Sequence, residues 1–210
     1  MAHSTLYEAI TLYRRLIPES ILIEYISNVK SAVAHLGVEG VISLACACSG
    51  TVAWKHYMNT LFIFWENEFD IQALGDHRFA CEIDSDKRAF IAQQHPDVGK
   101  LFTDVRSLSE RTAMNMRDGT MAMIDWVSIF GGGFSCLLKT PLNSSRSSNK
   151  FCVQKEQGST GETFKGVKEY IVKVRPAISV LENLKEMSQK PKDKPCKHGS
   201  LYSFFSELDH

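Results

Sequence analysis

The chain has 210 residues, 44% of them hydrophobic and 10% aromatic, with 24 basic and 24 acidic side chains and a formal net charge of zero. This length and apolar content describe one compact domain with at most a short appendage, and they exclude wholesale disorder. Neutrality argues against the broad basic surface that carries most nucleic-acid affinity. No run reaches the roughly 18 apolar residues of a membrane span, and the start MAHSTLYEAI lacks a basic segment followed by an apolar core. The expectation is an intracellular chain with no membrane partner.

Tyr7, Ile10 and Tyr13 predict a short first helix. Residues 19–36 read as an amphipathic helix, because Leu22, Ile26, Val29, Val33 and Leu36 recur at helical spacing between Pro18 and Gly37. The period then changes. Residues 41–47 form a short apolar run ending in Ser49-Gly50, which reads as a buried strand entering a turn, and a helix is expected over 51–62. Residues 79–84 are a second strand with an acidic end. A helix over 85–94 follows, with Ser85 or Asp86 near its cap and Pro96 beyond its end. A third strand is expected over 101–105, again carrying an acid. A fourth runs over 125–130 and closes in the turn Gly131-Gly132-Gly133. Residues 141–161 are rich in Ser, Asn, Lys and Gly and predict a long loop. A helix over 162–174 is marked by Phe164, Val167, Ile171 and Val174, and a fifth strand over 177–181 ends in Glu182-Asn183. Residues 185–197 are a basic, Pro-containing loop, and 201–208 read as one more helix.

Strands alternating with helices predict an α/β fold whose parallel sheet carries helices on both faces. Ligands bind such sheets outside the carboxyl ends of the strands. Cys48-Ser49-Gly50, Glu82, Asp104, Cys136 and Glu182 all fall at or just past such ends. Gly50 lets backbone approach a ligand closely, Glu82 offers an acceptor for two ribose hydroxyls, and Asp104 can accept from an adenine amino group. Taken singly, each is as well explained as a tight turn, a solvated acid or a helix cap. Together they describe an adenosine-bearing ligand. No G-x-G-x-x-G follows the first strand and there is no Walker lysine motif, so a dinucleotide or triphosphate is disfavoured.

Of the six cysteines, Cys46, Cys48 and Cys81 lie in apolar surroundings and are expected to be structural, with no disulfide framework. Spacing gives no zinc-type cluster, so no metal is expected; only Cys196 and His198 bring two soft ligands close. Cys136, on a glycine-rich segment at the rim, has the setting of a nucleophile, and Glu182 is its candidate acid partner. A cysteine hydrolase lacks a histidine in motif context, since His35, His56, His77 and His95 have none.

The order of these segments resembles the DNA cytosine-5 methyltransferase family. The resemblance rests on Cys48-Ser49-Gly50-Thr51, Cys81-Glu82-Ile83-Asp84, Phe102-Thr103-Asp104-Val105 and Gly132-Gly133-Phe134-Ser135-Cys136. Its most specific segment is the stretch from Arg175-Pro176 to Glu182-Asn183. It implies a Rossmann-like, S-adenosylmethionine-dependent methyltransferase sheet. The cofactor would be held by Ser49, Gly50, Thr51, Glu82, Ile83, Asp104 and Val105. Cys136 would attack carbon 6 of a flipped cytosine and Glu182 would hydrogen-bond or protonate the ring nitrogen. Arg146 and Asn183 would contact the substrate. Ser135 stands where the family has proline and Leu137 where it has glutamine. The expected organisation is an N-terminal helical segment over 1–37 and a partial catalytic domain over 38–210. That domain is incomplete at its C-terminus and lacks a target-recognition region, which a protein partner would supply. The resemblance implies DNA as substrate, or RNA for a transfer RNA cytosine methyltransferase relative, and a nuclear location. The other class of reading is a non-catalytic S-adenosylmethionine-binding or regulatory module of the same fold.

Overall fold

The computed structural model describes residues 2–37, 39–48, 50, 52–133 and 158–182. Two helices, α1 (Ala2–Leu16) and α2 (Glu19–Leu36), precede the first strand. A sheet follows, built from β1 (Val41–Ala47), β2 (Leu74–Cys81), β3 (Lys100–Phe102), β6 (Ile129–Gly133) and β7 (Ile178–Glu182) in the order β3-β2-β1-β6-β7, with every pairing parallel. Helices α3 (Ala53–Phe69), α4 (Ser85–Gln94) and α5 (Gly158–Val174) connect these strands. A 3-10 helix (Val105–Ser109) and the antiparallel hairpin β4 (Thr112–Asn115) and β5 (Thr120–Met123) lie between β3 and β6.

Strand alternation sorts the core into two faces. Ala45, Ala47, Phe79, Phe102 and Phe130 point to one, where Phe164, Val167 and Tyr170 of α5 cover them with Val105 and Leu108 of the 3-10 helix. Tyr170 is fully buried there, its ring centroid 4.5 Å from Phe130 and 5.8 Å from Phe79, and its hydroxyl donates to the Asp125 carbonyl at 3.3 Å. Ile42, Leu44 and Ile129 point to the opposite face, against Met58 and Phe62 of α3 and Val29 and Val33 of α2. The N-terminal helices therefore share a core with the sheet. On that face α4 closes the other end with Ile91 over Cys46, Ala80 and Leu101.

Several boundaries differ from the sequence expectations, each for a tertiary reason. Gly131, Gly132 and Gly133 are not a turn but the body of β6, paired with β1 and β7. A Cβ at Gly131 would lie 2.6 Å from the Trp54 indole, so the glycine is where the α3 tryptophan rests on the sheet. The second strand begins at Leu74 rather than 79, because the polar stretch Gly75-Asp76-His77 pairs with β1. Helix α3 starts at Ala53 and runs to Phe69, beyond 62, and α5 begins at Gly158. The third strand stops at Phe102, since Asp104 caps a 3-10 helix at Val105. The cap of α4 is Asp84, not Ser85 or Asp86: its carboxylate accepts from the Asp86 and Lys87 amides at 3.0 and 3.1 Å.

Beneath α3, His77 of β2 is 3% exposed, and neither ring nitrogen has a hydrogen-bond partner. The neighbouring Lys55 is also buried and is paired with Asp97. Burial first, and the Lys55 charge second, push the His77 pKa down from 6.5 to about 3. The folded protein therefore holds a neutral imidazole, while the unfolded chain binds a proton below about pH 6.5. Stability from this site is complete above pH 6.5 and is lost as pH falls towards 3, by about 2.5 kcal/mol at pH 4.5 as a ceiling. Urea unfolding at pH 7 and pH 4.5 measures this. His77→Phe is expected to shrink the acid-induced loss by most of that amount, and an unchanged loss would place the acid sensitivity elsewhere.

Candidate functional site

The carboxyl ends of β1, β2 and β3 meet at a rim held together by Glu82. Its side chain is buried, and the two oxygens divide their work: Oε2 accepts from the Gly50 amide and Oε1 from the Asp84 amide, each at 3.0 Å. One carboxylate thus pins the turn after β1 to the turn after β2. That first turn is tightly wound. Cys48, Gly50 and Val52 all have positive φ, at 56°, 62° and 59°. For the β-branched Val52 this is a true outlier, maintained because its side chain is fully buried beside Cys46, Ala80 and Ile91.

Beside this turn lies a crevice of about 90 Å³ lined by Cys48, Ile83, Thr103, Asp104, Val105 and the start of α5. Ile83 is 69% exposed at its mouth, an aliphatic side chain left in water, whereas Val105 is buried. A slot with two aliphatic residues and an acid suits a flat heteroaromatic ring bearing an amino group. Asp104 is already engaged: it accepts from the Arg106 amide at 2.9 Å and the Arg106 guanidinium at 2.6 Å. The Arg106 hydrogen bonds hold its carboxyl below the usual carboxylate range, so it is an ionised acceptor. Each carboxylate oxygen has two lone pairs, which leaves Glu82 room for further donors. Both Asp104 oxygens already take two contacts from Arg106, so a further donor there shares the carboxylate with the Nε contact that Arg106 splits between them. Burial first, then the Glu82 charge, pushes the Cys48 thiol up to about 12; it is a neutral packing group and not a nucleophile. None of Cys46, Cys48 and Cys81 is in a disulfide.

Of the expected site residues, the structure brings Gly50, Glu82, Ile83, Asp104 and Val105 together. Glu182 is elsewhere on the same edge of the sheet, opposite Gly133 at the end of β7, and it borders a different, apolar groove. Ser49, Thr51, Cys136, Arg146 and Asn183 lie outside the described residues. Sequence reasoning missed Arg106, which clamps Asp104 and also reaches Glu162 at 3.2 Å, and Ser159, Glu162 and Thr163, which bring the N-terminus of α5 to the crevice. No group of three or more His, Cys, Asp or Glu residues fit to hold a metal ion occurs among the described residues. Likewise, no described helix is long and apolar enough to cross a membrane.

A five-stranded parallel sheet in this order, flanked by helices and bearing acids just past the ends of β2 and β3, is a mixed α/β arrangement consistent with a Rossmann-like methyltransferase fold. No family model matches the chain. Over 173 residues, 80% of its length, the chain is 27% identical to DNA (cytosine-5-)-methyltransferase DMT5 of Cryptococcus neoformans var. grubii serotype A. The match spans about 6% of that much longer protein. The chain is thus methyltransferase-like in fold and distantly similar in sequence to a DNA cytosine-5 methyltransferase.

Proposed function

We propose that this chain is the cofactor-binding and nucleophile-bearing part of a cytosine-5 DNA methyltransferase that uses S-adenosylmethionine and works in the nucleus. The observation that carries the reading is the rim crevice, where Ile83, Asp104 and Val105 converge beside the turn that Glu82 ties down. The likeness to DMT5 supports the same reading. The residues fit the group. Asp104 is an ionised acceptor for the adenine amino group, Ile83 and Val105 flank the ring, and Glu82 keeps lone pairs for the ribose hydroxyls. Ser49, Gly50 and Thr51 would hold the rest of the cofactor. When bound, S-adenosylmethionine supplies an electrophilic methyl group.

The remaining chemistry belongs to the chain. The Cys136 sulfur, as thiolate, adds to carbon 6 of a cytosine drawn out of its duplex. The carbon 5–carbon 6 π bond opens and leaves its electron pair on carbon 5 to take up the methyl group. Loss of the carbon 5 proton then restores the double bond and expels the sulfur. Glu182 holds a proton at ring nitrogen 3, which draws electron density away from carbon 6 and eases that attack. Arg146 and Asn183 orient the base and its phosphate. The exposed position of Glu182 at the strand end leaves its carboxyl open to a substrate.

The test is covalent trapping on duplex DNA containing 5-fluorocytosine, with S-adenosylmethionine present. Fluorine at carbon 5 cannot leave as a proton would, so the sulfur–carbon bond persists. The expected result is a denaturation-resistant protein–DNA adduct that Cys136→Ser abolishes and Glu182→Gln slows about 100-fold or more. Adduct formation undiminished in Cys136→Ser would refute the assigned nucleophile. Absence of any adduct, with cofactor binding intact, would leave a non-catalytic module.

A further inference from the structure

Helix α1 is held against α3 along one stripe. Tyr7 meets Phe64 edge to face, with ring centroids 6.1 Å apart, and its hydroxyl accepts from the Asn67 amide group at 3.4 Å. Two turns on, Arg14 pairs with Glu68 at 2.9 Å and lies 5.8 Å over the Phe69 ring. These partners all belong to the second half of α3, which leads back from the carboxyl end of β1 to the amino end of β2. Helix α1 therefore sits at the far end of the sheet from the rim. Rotated by two residues, or about 200°, a second stripe runs through Thr5, Ala9, Leu12 and Leu16, with Tyr13 at its edge. Leu12, Tyr13 and Leu16 are 60%, 70% and 72% exposed, and Thr5 and Ala9 are exposed as well. A surface helix ordinarily turns polar side chains to water on the face away from its core. The spacing of this stripe, four, three and four residues, is instead that of helices that pair with one another.

We propose that this second stripe is the interface of a homodimer, in which α1 packs antiparallel on α1 of a second copy about a two-fold axis. Charge fixes both the partner and the direction. Glu8 and Arg15 lie two turns apart on the same flank of the stripe, both exposed, and neither has an ion-pair partner among the described residues. In an antiparallel pair like flanks face each other, whereas in a parallel pair each flank faces the opposite one. The register that seats Leu12 against Ala9 of the second copy, and Leu16 against Thr5, puts a large side chain on a small one in every layer. The same register sets Glu8 opposite Arg15 of the second copy, twice over by symmetry, and Leu6 beside Tyr13 on the other flank. A parallel pair would set Glu8 against Tyr13 and leave Arg15 without a helical partner. The contact is smaller than the about 800 Å² per partner of a standard interface, so a dissociation constant on the order of 10 µM is expected. Both rims stay open in the pair, since α1 lies at the opposite end of the sheet.

Sedimentation velocity of the full chain over a range of concentrations tests this. The wild type should pass reversibly from monomer to dimer. Glu8→Arg and Arg15→Glu each place like charges opposite one another at both ends of the contact, and each should weaken the dimer about tenfold. An equimolar mixture of these two variants should regain wild-type affinity, because the basic flank of one then meets the acidic flank of the other. That rescue separates pairing from any loss of fold, which mixing cannot repair. Leu12→Asp should leave a monomer that the mixture does not rescue. A wild-type chain that stays monomeric up to about 200 µM would overturn the proposal. So would a dimer indifferent to both charge changes, or two weakened variants that mixing fails to restore.

Discussion

Glu82→Ala is expected to damage stability and cofactor affinity together. The side chain is 5% exposed and accepts two backbone amides at 3.0 Å, one from the β1 turn and one from the β2 turn. Alanine leaves both amides without their acceptor. At about 1.5 kcal/mol for each hydrogen bond to a charged partner, the loss is about 3 kcal/mol. The turn it releases is wound through three positive-φ residues, Cys48, Gly50 and Val52, so it would relax away from the crevice it borders. S-adenosylmethionine affinity should fall at least 100-fold, beyond what one lost ribose contact would cost. Glu82→Gln keeps one acceptor oxygen but turns an amide towards the other donor, and should lie between wild type and alanine. Urea unfolding and cofactor titration on the same three proteins check both parts. Equal stability in all three would show that the tether bears no weight.

Gly166→Val is expected to be the most damaging single change outside the rim. Helix α5 packs so closely on the 3-10 helix that a Cβ at Gly166 would lie 2.9 Å from the Arg106 amide nitrogen and 3.0 Å from both the Arg106 Cα and the Val105 carbonyl carbon. Backbone atoms cannot swing aside as a side-chain tip can, so α5 must shift bodily from Phe164, Val167 and Tyr170's packing against the sheet. A cost of about 3 kcal/mol or more follows, read as a lower urea midpoint. The displacement also moves Ser159, Glu162 and Thr163, which line the crevice. Cofactor affinity should therefore fall in parallel, although Gly166 itself does not line the crevice.

The sheet was legible because its apolar runs are dense and its connections helical: β1 and α2 fall where the pattern puts them, and β7 within one residue. What sequence could not show was set by contacts distant in the chain. Gly131 to Gly133 read as a turn by composition, yet β1 on one side and β7 on the other make them a strand, and Trp54 occupies the space a side chain would need. The polar start of β2 is a strand because β1 offers it a ladder. The β4–β5 hairpin had a usable signal that went unread: Asp118-Gly119 between alternating stretches, with Gly119 at a φ of 71°. At the rim, motif order identified Glu82 and Asp104 as rim acids, and the structure adds their partners. Glu82 serves two backbone amides, and Asp104 is clamped by Arg106 two residues on. The bond from Gly50 to Glu82 has no sequence signature, because it depends on how two turns face each other in the folded sheet. The Asp104–Arg106 clamp, local to one turn, is an acid-x-base spacing too common to single out.

Direct titration of the full chain with S-adenosylmethionine by calorimetry, beside Glu82→Ala, tests the central claim that the β1–β3 rim is a cofactor site. Saturable one-to-one binding to the wild type, weakened at least 100-fold in the variant, is the predicted result. No saturable binding to the folded wild-type chain, or equal binding by both proteins, would contradict it.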